Sequence, residues 1–473
     1  MSLTSSRENP GKNNEMAAET RVPGSFRDPS GFLYERAGRL YRQVNRTYQE
    51  DYQHLVCSGL LARLVKENLL VAHDEVSVEP AEPASAYKVI APVRLPFISY
   101  PYEWCFSQLK DAALATLRIQ TIALEHGMIL KDASAYNIQF TGGGPILLDT
   151  LSFQKYREGE PWVAYRQFCQ HFLAPLALMV YTDVRMGQLM RVFIDGVPLD
   201  LASRLLPVRT RMRFGLMIHL HLHAAAQRHY AGKTSRPSRR KMPRTSLLGL
   251  VSSLTSSVTR LKWSLPKTEW GEYYNATNYS VASMDAKKKT VATVLERIKP
   301  DTVWDLGANT GEFSQVAARY AATTVAFDID PVAVERNYLD CRGAGGTILP
   351  LLMDLTNPSP AQGWRHEERM SLETRGPADC ALALALVHHL AISNNVPLGN
   401  LAAFFACLCR HLVIEFVPKE DSQVRRLLST REDVFPEYDQ GSFERAFGTL
   451  FDIREAVPVA QSSRTLYWMS KKA

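Results

Sequence analysis

A glycine-bearing turn between a short apolar stretch and an amphipathic stretch most constrains what this chain can fold into. Residues 302–306 predict a buried β-strand, and the pattern from Glu312 onward predicts a helix. Gly307 and Gly311 lie in the turn between them, where a residue without a Cβ lets the backbone approach a ligand closely. Strand, tight turn and helix in this order predict a βαβ unit with a ligand at the turn.

The sequence on either side of this turn alternates between helical and strand patterns. Helices are predicted at 284–298, 312–320 and 331–340, and strands at 302–306, 323–327, 379–385 and 412–416. Short strands that alternate with helices form parallel βαβ units. The predicted fold class is therefore α/β, with a Rossmann-like, doubly wound and mostly parallel sheet in residues 268–473.

The length of 473 residues predicts more than one domain, since single hydrophobic cores stop growing at about 250–300 residues. We predict a disordered leader at 1–27, an α+β domain with a helical extension at 28–232, a basic linker rich in Ser and Pro at 233–267, and the α/β domain at 268–473. Six basic residues and no acidic residue lie between Lys233 and Arg244. A solvated linker and a docking patch for an anionic surface both fit this run.

Charge, cysteine usage and hydropathy exclude several classes of protein. The net charge of +7 is concentrated in the linker, so nucleic acid is not expected as a partner. The seven cysteines are scattered, as in proteins of a reducing compartment, and Cys407 and Cys409 have no second Cys or His pair at zinc-site spacing. The N-terminus has no apolar signal region, and the longest apolar stretches are too short to span a membrane. We expect a cytoplasmic protein without a bound metal.

The residues around the turn also indicate which ligand it holds. Asp328 follows the strand 323–327, where a carboxylate can accept hydrogen bonds from both hydroxyls of a ribose. Asn309 replaces the central glycine of a pyrophosphate-binding turn, and Glu312 would repel a phosphate at the start of the helix. A nucleoside without phosphates that carries a positive charge fits these residues best. A nicotinamide-dependent dehydrogenase and a purely structural glycine turn remain the alternatives.

Together, residues 305–311, Asp328 and residues 353–355 resemble the first three motifs of class I methyltransferases, and residues 379–390 are similar to the fourth. The resemblance implies that S-adenosylmethionine is the cofactor. It further implies that Gly307 and Gly311 line the methionine moiety, that Asp305 supports its amino group, that Asp328 holds the ribose and that Asp354 contacts the adenine amine. The cofactor-binding set is then Asp305, Gly307, Asn309, Gly311, Asp328 and Asp354.

Two histidines follow the predicted fourth strand of this domain. His388 and His389 are candidate catalytic residues, because an imidazole can accept the proton of an acceptor hydroxyl. Alternatively, one caps the following helix and the other packs in the core. Glu415, in the strand 412–416, is a second candidate base, or it satisfies neighbouring backbone groups. Aromatic residues in 270–279 could close over the cofactor or pack in the core.

A second group of polar residues lies in the N-terminal half. Asp132 and Asn137 are five positions apart, and Asp149 follows a short predicted hairpin. This spacing resembles the catalytic loop and the metal-binding aspartate of kinase-like phosphotransferases, which implies a kinase-like α+β fold for 28–232. The chain departs from that pattern: it lacks a Gly-rich phosphate loop, and Lys131 stands where Arg is usual. A kinase-like fold with lost or altered activity, an active phosphotransferase and a chance similarity all remain open.

Over its full length, and notably in 130–137, 162–168 and 415–419, the chain resembles a family of bacterial methyltransferases linked to host-specific nodulation. The resemblance implies methyl transfer from S-adenosylmethionine to an oxygen or nitrogen of a small molecule or glycan. A non-catalytic scaffold that retains a cofactor pocket is the rival hypothesis, and a phosphotransferase acting through the N-terminal half is a third. The sequence leaves the oligomeric state and the acceptor open.

Overall fold

The structure is a computed structural model, and it describes residues 19–142, 144–225, 241–266, 281–342, 346–429 and 432–472. These residues fall into two compact units. The first unit comprises the described part of Met1–Gln53 together with Ala72–Arg94, and the second comprises His54–Val71 and the described residues from Leu95 onward. The second unit therefore contains residues from both sides of the predicted linker. The domain boundaries at 28–232 and 268–473 stay predictions.

The first unit is built on an antiparallel sheet with the strand order β1-β2-β3-β5-β4. Its strands are β1 Glu19–Arg21, β2 Gly31–Arg36, β3 Arg39–Asn45, β4 His73–Val76 and β5 Ala86–Pro92. Ala37 and Gly38 join β2 to β3 with φ values of 51° and 73°, as a two-residue hairpin turn requires. Strand β1 lies inside the predicted leader, and its pairing with β2 orders residues for which composition predicted no structure.

The helices described in the chain are, in order, α1 Gln49–Cys57, α2 Leu60–Lys66, α3 Phe106–Glu125, α4 Tyr165–Phe168, α5 Ala174–Tyr181, α6 Leu189–Val192, α7 Leu199–Leu205, α8 Phe214–Leu216, α9 Arg244–Arg260, α10 Val281–Ile298, α11 Glu312–Ala317, α12 Pro331–Cys341, α13 Leu398–Leu408, α14 Ser422–Leu428 and α15 Gln440–Gly448. Short 3₁₀ and π-helical turns connect several of them. None of the helices in the described ranges is both long and apolar enough to cross a membrane.

Helix α9 occupies part of the predicted linker. Leu247, Val251, Leu254 and Val258 recur at helical spacing, and all four are buried. The ammonium group of Lys110, on α3, donates hydrogen bonds to carbonyl oxygens at the end of α9. In its described part, the stretch 241–266 is therefore mainly a packed amphipathic helix, because its Ser- and Thr-rich sequence contains a full apolar stripe.

Small strands of the second unit organise the N-terminal polar group. Strand β6 (Met128–Leu130) pairs with β9 (Phe153–Lys155), and β7 (Ile138–Thr141) forms a hairpin with β8 (Gly144–Leu147). The predicted hairpin is confirmed. Asp132, Asn137 and Asp149 lie in the connections between these strands, which we call the Asp132 loop (132–149).

The large sheet of the second unit has the strand order β12-β11-β10-β13-β14-β16-β15. Its strands are β10 Thr302–Leu306, β11 Thr323–Asp328, β12 Ile348–Leu352, β13 Ala378–Ala383, β14 Cys409–Phe416, β15 Phe451–Pro458 and β16 Thr465–Lys471. Strands β10 to β14 are parallel, and β16 and β15 complete the edge antiparallel. The predicted α/β fold with a mostly parallel sheet is confirmed.

The order of these strands fixes where a ligand can bind. After β10 the chain adds β11 and β12 on one side of it, and then crosses back to add β13 and β14 on the other side. The carboxyl ends of β10 and β13 therefore border a topological switch point, where α/β sheets open a crevice.

A buried ion pair ties the helical N-terminal part of the second unit to this sheet. Both guanidinium Nη atoms of Arg375 donate to the carboxylate of Glu103, and both side chains are about 1% exposed. Glu103 also accepts hydrogen bonds from the hydroxyl of Ser359 and the backbone N–H of Tyr100. A buried charge is stable only when it is paired and hydrogen-bonded, as here. Buried hydrophobic residues of the two parts also form one core.

Candidate functional site

A cavity of about 370 Å³ opens at the switch point of the large sheet, and we call it the switch-point cavity. Its walls are residues at and just after the ends of β10, β11, β12 and β13, together with side chains of α10, α11 and α14. The cavity lies within the size range of small-molecule sites. Five of the predicted cofactor-binding residues line it: Asp305, Gly307, Asn309, Asp328 and Asp354.

Asp305 is the penultimate residue of β10 and lines the cavity. Its carboxylate is buried and accepts a hydrogen bond of 2.6 Å from the hydroxyl of Ser314, at the start of α11. Burial raises the pKa of Asp305 to about 6, and the nearby Asp328 acts in the same direction. Gly307 has φ +78°, and a Cβ there would lie 3.3 Å from Leu386. The positive φ favours glycine at this position, and a larger residue would also have to displace the Leu386 side chain slightly.

Asp328 ends β11 and fastens the glycine turn. One carboxylate oxygen accepts the backbone N–H of Asn309 at 2.7 Å, and the other accepts that of Asp330 at 2.8 Å. Burial nevertheless raises the pKa of Asp328 to about 6. Each carboxylate oxygen has two lone pairs, so the same group has acceptor capacity for a pair of ligand hydroxyls.

The end of β12 supplies the third acidic residue. The side chain of Asp354 accepts hydrogen bonds from the backbone N–H and the hydroxyl of Thr356, at 2.8 and 2.6 Å. Met353 and Thr356 line the cavity beside it. Three carboxylates thus stand at the ends of three neighbouring parallel strands.

The structure places Gly311 differently from the role that the resemblance implied. Gly311 is not among the described residues that line the switch-point cavity. It has φ +89°, and a Cβ there would lie 2.6 Å from the side-chain amide of Asn337. Gly311 packs closely against α12, and of the two glycines only Gly307 lines the cavity in the described residues.

The two candidate histidines have different surroundings. His389 lines the cavity and begins a π-helical turn, His389–Ser393, whereas His388 is buried and does not line it. Burial lowers the pKa of His389 to about 4 and that of His388 well below its usual value. Both imidazoles are therefore neutral at pH 7. His388 fits the packing alternative, and His389 stays a candidate for contact with a substrate.

Glu415 pairs with cations, which neither predicted role anticipated. Its carboxylate lies 2.6 Å from the ammonium nitrogen of Lys287 and 3.8 Å from a guanidinium nitrogen of Arg464. Lys287 in turn lines the switch-point cavity. Sequence reasoning missed Lys287 because it begins a run of three lysines, a pattern typical of a solvated helix face.

A further wall of the cavity was also missed. Helix α14 contributes Gln423, Arg426 and Leu427, and the segment after the π-helical turn contributes Asn394. These residues belong to no motif that the sequence analysis recognised. The wall offers amide and guanidinium donors beside an aliphatic side chain.

In the Asp132 loop, the structure brings the three predicted polar residues together and engages them in turns. Asp132 accepts hydrogen bonds from the backbone N–H of Ser134 and the amide of Gln167, at 2.9 and 2.7 Å. Asp149 accepts from the backbone N–H of Leu151 and the hydroxyl of Ser152, at 2.8 and 2.9 Å. Burial raises the pKa of Asp132, and the charge of Asp149 adds to the shift.

Two further predictions concern a bound metal ion and the aromatic residues near the cofactor. In the described ranges, no group of three or more His, Cys, Asp or Glu side chains is arranged to hold a metal ion. The aromatic residues predicted to close over the cofactor, 270–279, lie outside the described residues.

No protein-family model matches the chain. A curated relative, the nodulation protein NoeA of Rhizobium meliloti (strain 1021), is 36% identical over 455 residues, which cover 94% of this chain and 95% of the relative. The chain belongs to the NoeA family. This NoeA-family match spans both the Asp132 loop and the large sheet.

Solved structures also match part of this NoeA-family chain. Magnesium protoporphyrin IX methyltransferase (ChlM) from Synechocystis PCC 6803, with bound SAH, is 16% identical with a TM-score of 0.29, over 42% of this chain and 91% of that one. N-methyltransferase NodS from Bradyrhizobium japonicum WM9 is 11% identical with a TM-score of 0.30, over 41% of this chain and 99% of that one. Each match covers about two fifths of this chain.

Proposed function

We propose that the chain is an S-adenosylmethionine-dependent methyltransferase whose cofactor binds in the switch-point cavity. One observation carries the proposal: Asp305, Asp328 and Asp354 stand at the ends of three adjacent parallel strands around one cavity, with a glycine turn between the first two. The residues fit this cofactor, because its sulfonium and ammonium groups bring positive charge to carboxylates that burial disfavours. A phosphate-bearing ligand would add charge of the wrong sign.

In this proposal each acidic residue binds one part of the cofactor. Asp305 accepts the ammonium of the methionine moiety, Asp328 accepts the ribose hydroxyls, and Asp354 accepts the adenine amine, while Asn309 shapes the turn. Bound S-adenosylmethionine supplies an activated methyl group on a sulfonium, and the protein holds the acceptor in line with it. His389, neutral at pH 7, can accept a hydrogen bond from the acceptor and orient it.

We propose a small molecule or a glycan as the methyl acceptor, with an oxygen or nitrogen as the methylated atom. The donors Asn394, Gln423 and Arg426 in the cavity wall support a hydroxylated or amidated acceptor. A role in host-specific nodulation is the matching biological proposal, and its support is the name of the relative. The cytoplasmic location stays a prediction.

Calorimetry on the full-length protein tests the assignment. S-adenosylhomocysteine should bind with one site per chain. In a separate assay, the protein should transfer a labelled methyl group from S-adenosylmethionine to an extract that contains the acceptor. Binding without transfer into any acceptor would favour the rival, a non-catalytic scaffold that keeps the pocket. Failure of both S-adenosylmethionine and S-adenosylhomocysteine to bind would overturn the proposal.

A kinase-like fold for residues 28–232 stays a second proposal, with phosphotransfer as its strongest form. Its support is the pairing of β6 with β9 around the hairpin β7–β8, which places Asp132, Asn137 and Asp149 in one loop. If the site binds magnesium-ATP, the ligand should raise the melting temperature of the full chain, and Asp149→Ala should abolish the shift. A melting temperature that magnesium-ATP leaves unchanged would count against phosphotransfer.

A further inference from the structure

Lys287 places a buried cation in the wall of the switch-point cavity. Its side chain is about 3% exposed, and its ammonium nitrogen lies 4.9 Å from the centroid of the Phe313 ring, which lines the same cavity. Taking an ammonium out of water is expensive unless a partner compensates it. A charged ammonium at this position therefore needs a partner, either a side chain or a ligand, that compensates the loss of water.

The structural partner is Glu415, and it belongs to a longer row of charges. Glu415 stands between Lys287 and Arg464, and Arg464 donates two hydrogen bonds to Asp421, at 2.8 and 3.1 Å. Positive and negative groups alternate along the row, and each of the four side chains is buried. Glu415 thus faces two cations, and Lys287 is the one at the cavity end of the row.

Lys287 also acts on the first acidic residue of the cavity. Its positive charge lowers the pKa of Asp305, opposing the effect of burial, and Asp305 acts back on Lys287 in the opposite sense. An anionic and a cationic group thus line one cavity and act on each other electrostatically. This arrangement is complementary to an amino-acid zwitterion, in which an ammonium and a carboxylate stand on one carbon.

We propose that Lys287 binds the α-carboxylate of the cofactor's methionine moiety, next to Asp305 at its α-ammonium, and that Glu415 is the positioning residue that holds the lysine there. The inference rests on the proposed function and names the polar contact that the sequence motifs leave unassigned. Arg426 is another cation in the cavity wall, but it stands on α14 among donors that suit the acceptor.

The test compares two ligands that differ only in the carboxylate: S-adenosylmethionine and decarboxylated S-adenosylmethionine. Dissociation constants are measured by calorimetry on the full-length protein. A charge-assisted hydrogen bond corresponds to roughly a 10- to 100-fold change in affinity. The native protein should prefer the complete cofactor by about that factor.

The variants remove the ammonium without stranding its partner. Lys287→Met combined with Glu415→Gln should weaken binding of S-adenosylmethionine roughly 10- to 100-fold and leave the decarboxylated ligand within about twofold, since only the carboxylate loses its partner. Unchanged binding of the decarboxylated ligand also demonstrates that the variant is folded. Lys287→Arg should restore the preference, and Glu415→Gln alone should reduce it.

Lys288→Met is the matched control, because Lys288 is the next residue of α10 and pairs with Glu312, at 2.6 Å, on a partly exposed surface. It should keep the native preference for the carboxylate. An equal loss for both ligands in the double variant, or no loss, would overturn the inference. A native protein that binds neither ligand would overturn the proposed function instead, so the two failures are distinguishable.

Discussion

The switch-point cavity and the Asp132 loop are two places where the chain gathers carboxylates close to glycines, and they differ in what the carboxylates face. Asp305 and Asp328 line a cavity of about 370 Å³. Asp132 and Asp149 accept hydrogen bonds from backbone N–H groups of their own turns and from the side chains of Gln167 and Ser152. Residue spacing finds both groups equally well. The cavity in front of Asp305 and Asp328 favours a ligand site there, whereas the hydrogen bonds of Asp132 and Asp149 brace their own loop.

Replacing one carboxylate in each region should break the comparison most sharply. Asp328→Ala should weaken S-adenosylhomocysteine binding about 100-fold or more, since it removes two charge-assisted hydrogen bonds worth roughly 1.5–3 kcal/mol each. Asp149→Ala should leave the affinity within about twofold. Calorimetry on the two full-length variants gives both values, and comparable losses in both would show that the regions are not functionally distinct.

The glycines of the two regions provide a second contrast. Gly311→Ala should lower the free energy of unfolding by about 2–4 kcal/mol, because its φ of +89° is strained for alanine and its Cβ would meet the Asn337 amide at 2.6 Å. Gly142→Ala, in the hairpin of the Asp132 loop, should lower it by about 1 kcal/mol, since φ is +56° but no described atom lies within 4 Å of the added carbon. Urea denaturation measures both. Equal losses would remove the packing role assigned to Gly311.

Proton uptake should sharpen the comparison further. Asp305 and Asp328 have pKa values of about 6 in the unliganded protein, above the usual value for aspartate, so the folded state binds more protons than the unfolded state between about pH 4 and 6. Stability from these groups is thus lost as pH rises through that window, whereas affinity for a cationic ligand is gained.

For each carboxylate that must be ionised to bind, affinity for S-adenosylmethionine should fall about fivefold from pH 6 to pH 5, since a group with a pKa of about 6 goes from half ionised to about one tenth ionised. Titration calorimetry across this range measures the slope, and Asp328→Asn should make it shallower. Asp149→Asn should leave it unchanged. A flat profile in the native protein would mean that neither carboxylate has to be ionised to bind the ligand, against the assignment of Asp305 and Asp328.

Local patterns were sufficient to predict much of the large sheet. The strand at 302–306 has the predicted bounds, and Asp328 ends its neighbour, because apolar runs and turn residues are short-range signals. The meeting of the ends of β10, β11 and β12 at one cavity could also be predicted from the sequence. These positions follow from strand direction alone, since parallel strands end at one edge.

Long-range pairing explains what sequence reasoning missed. Lys287 meets Glu415 across 128 positions, and Glu103 meets Arg375 across 272. Nothing local distinguishes these charged residues from solvated ones. Helix α9 was missed for another reason, because Ser, Thr and basic residues outnumber its apolar stripe and dominate its composition.

The Glu103–Arg375 pair has a consequence for how such a gene can be divided. A truncated product that began after α9 would keep Arg375 and lose the Glu103 carboxylate that neutralises it, and the hydroxyl of Ser359 would lose the acceptor of its hydrogen bond. Removing one partner of a buried pair typically destabilises a protein by about 3–5 kcal/mol, a large share of the stability of an ordinary domain. The large sheet should therefore be expressed and purified together with the helices that precede it in the chain, since a fragment without them would leave Arg375 buried and unpaired.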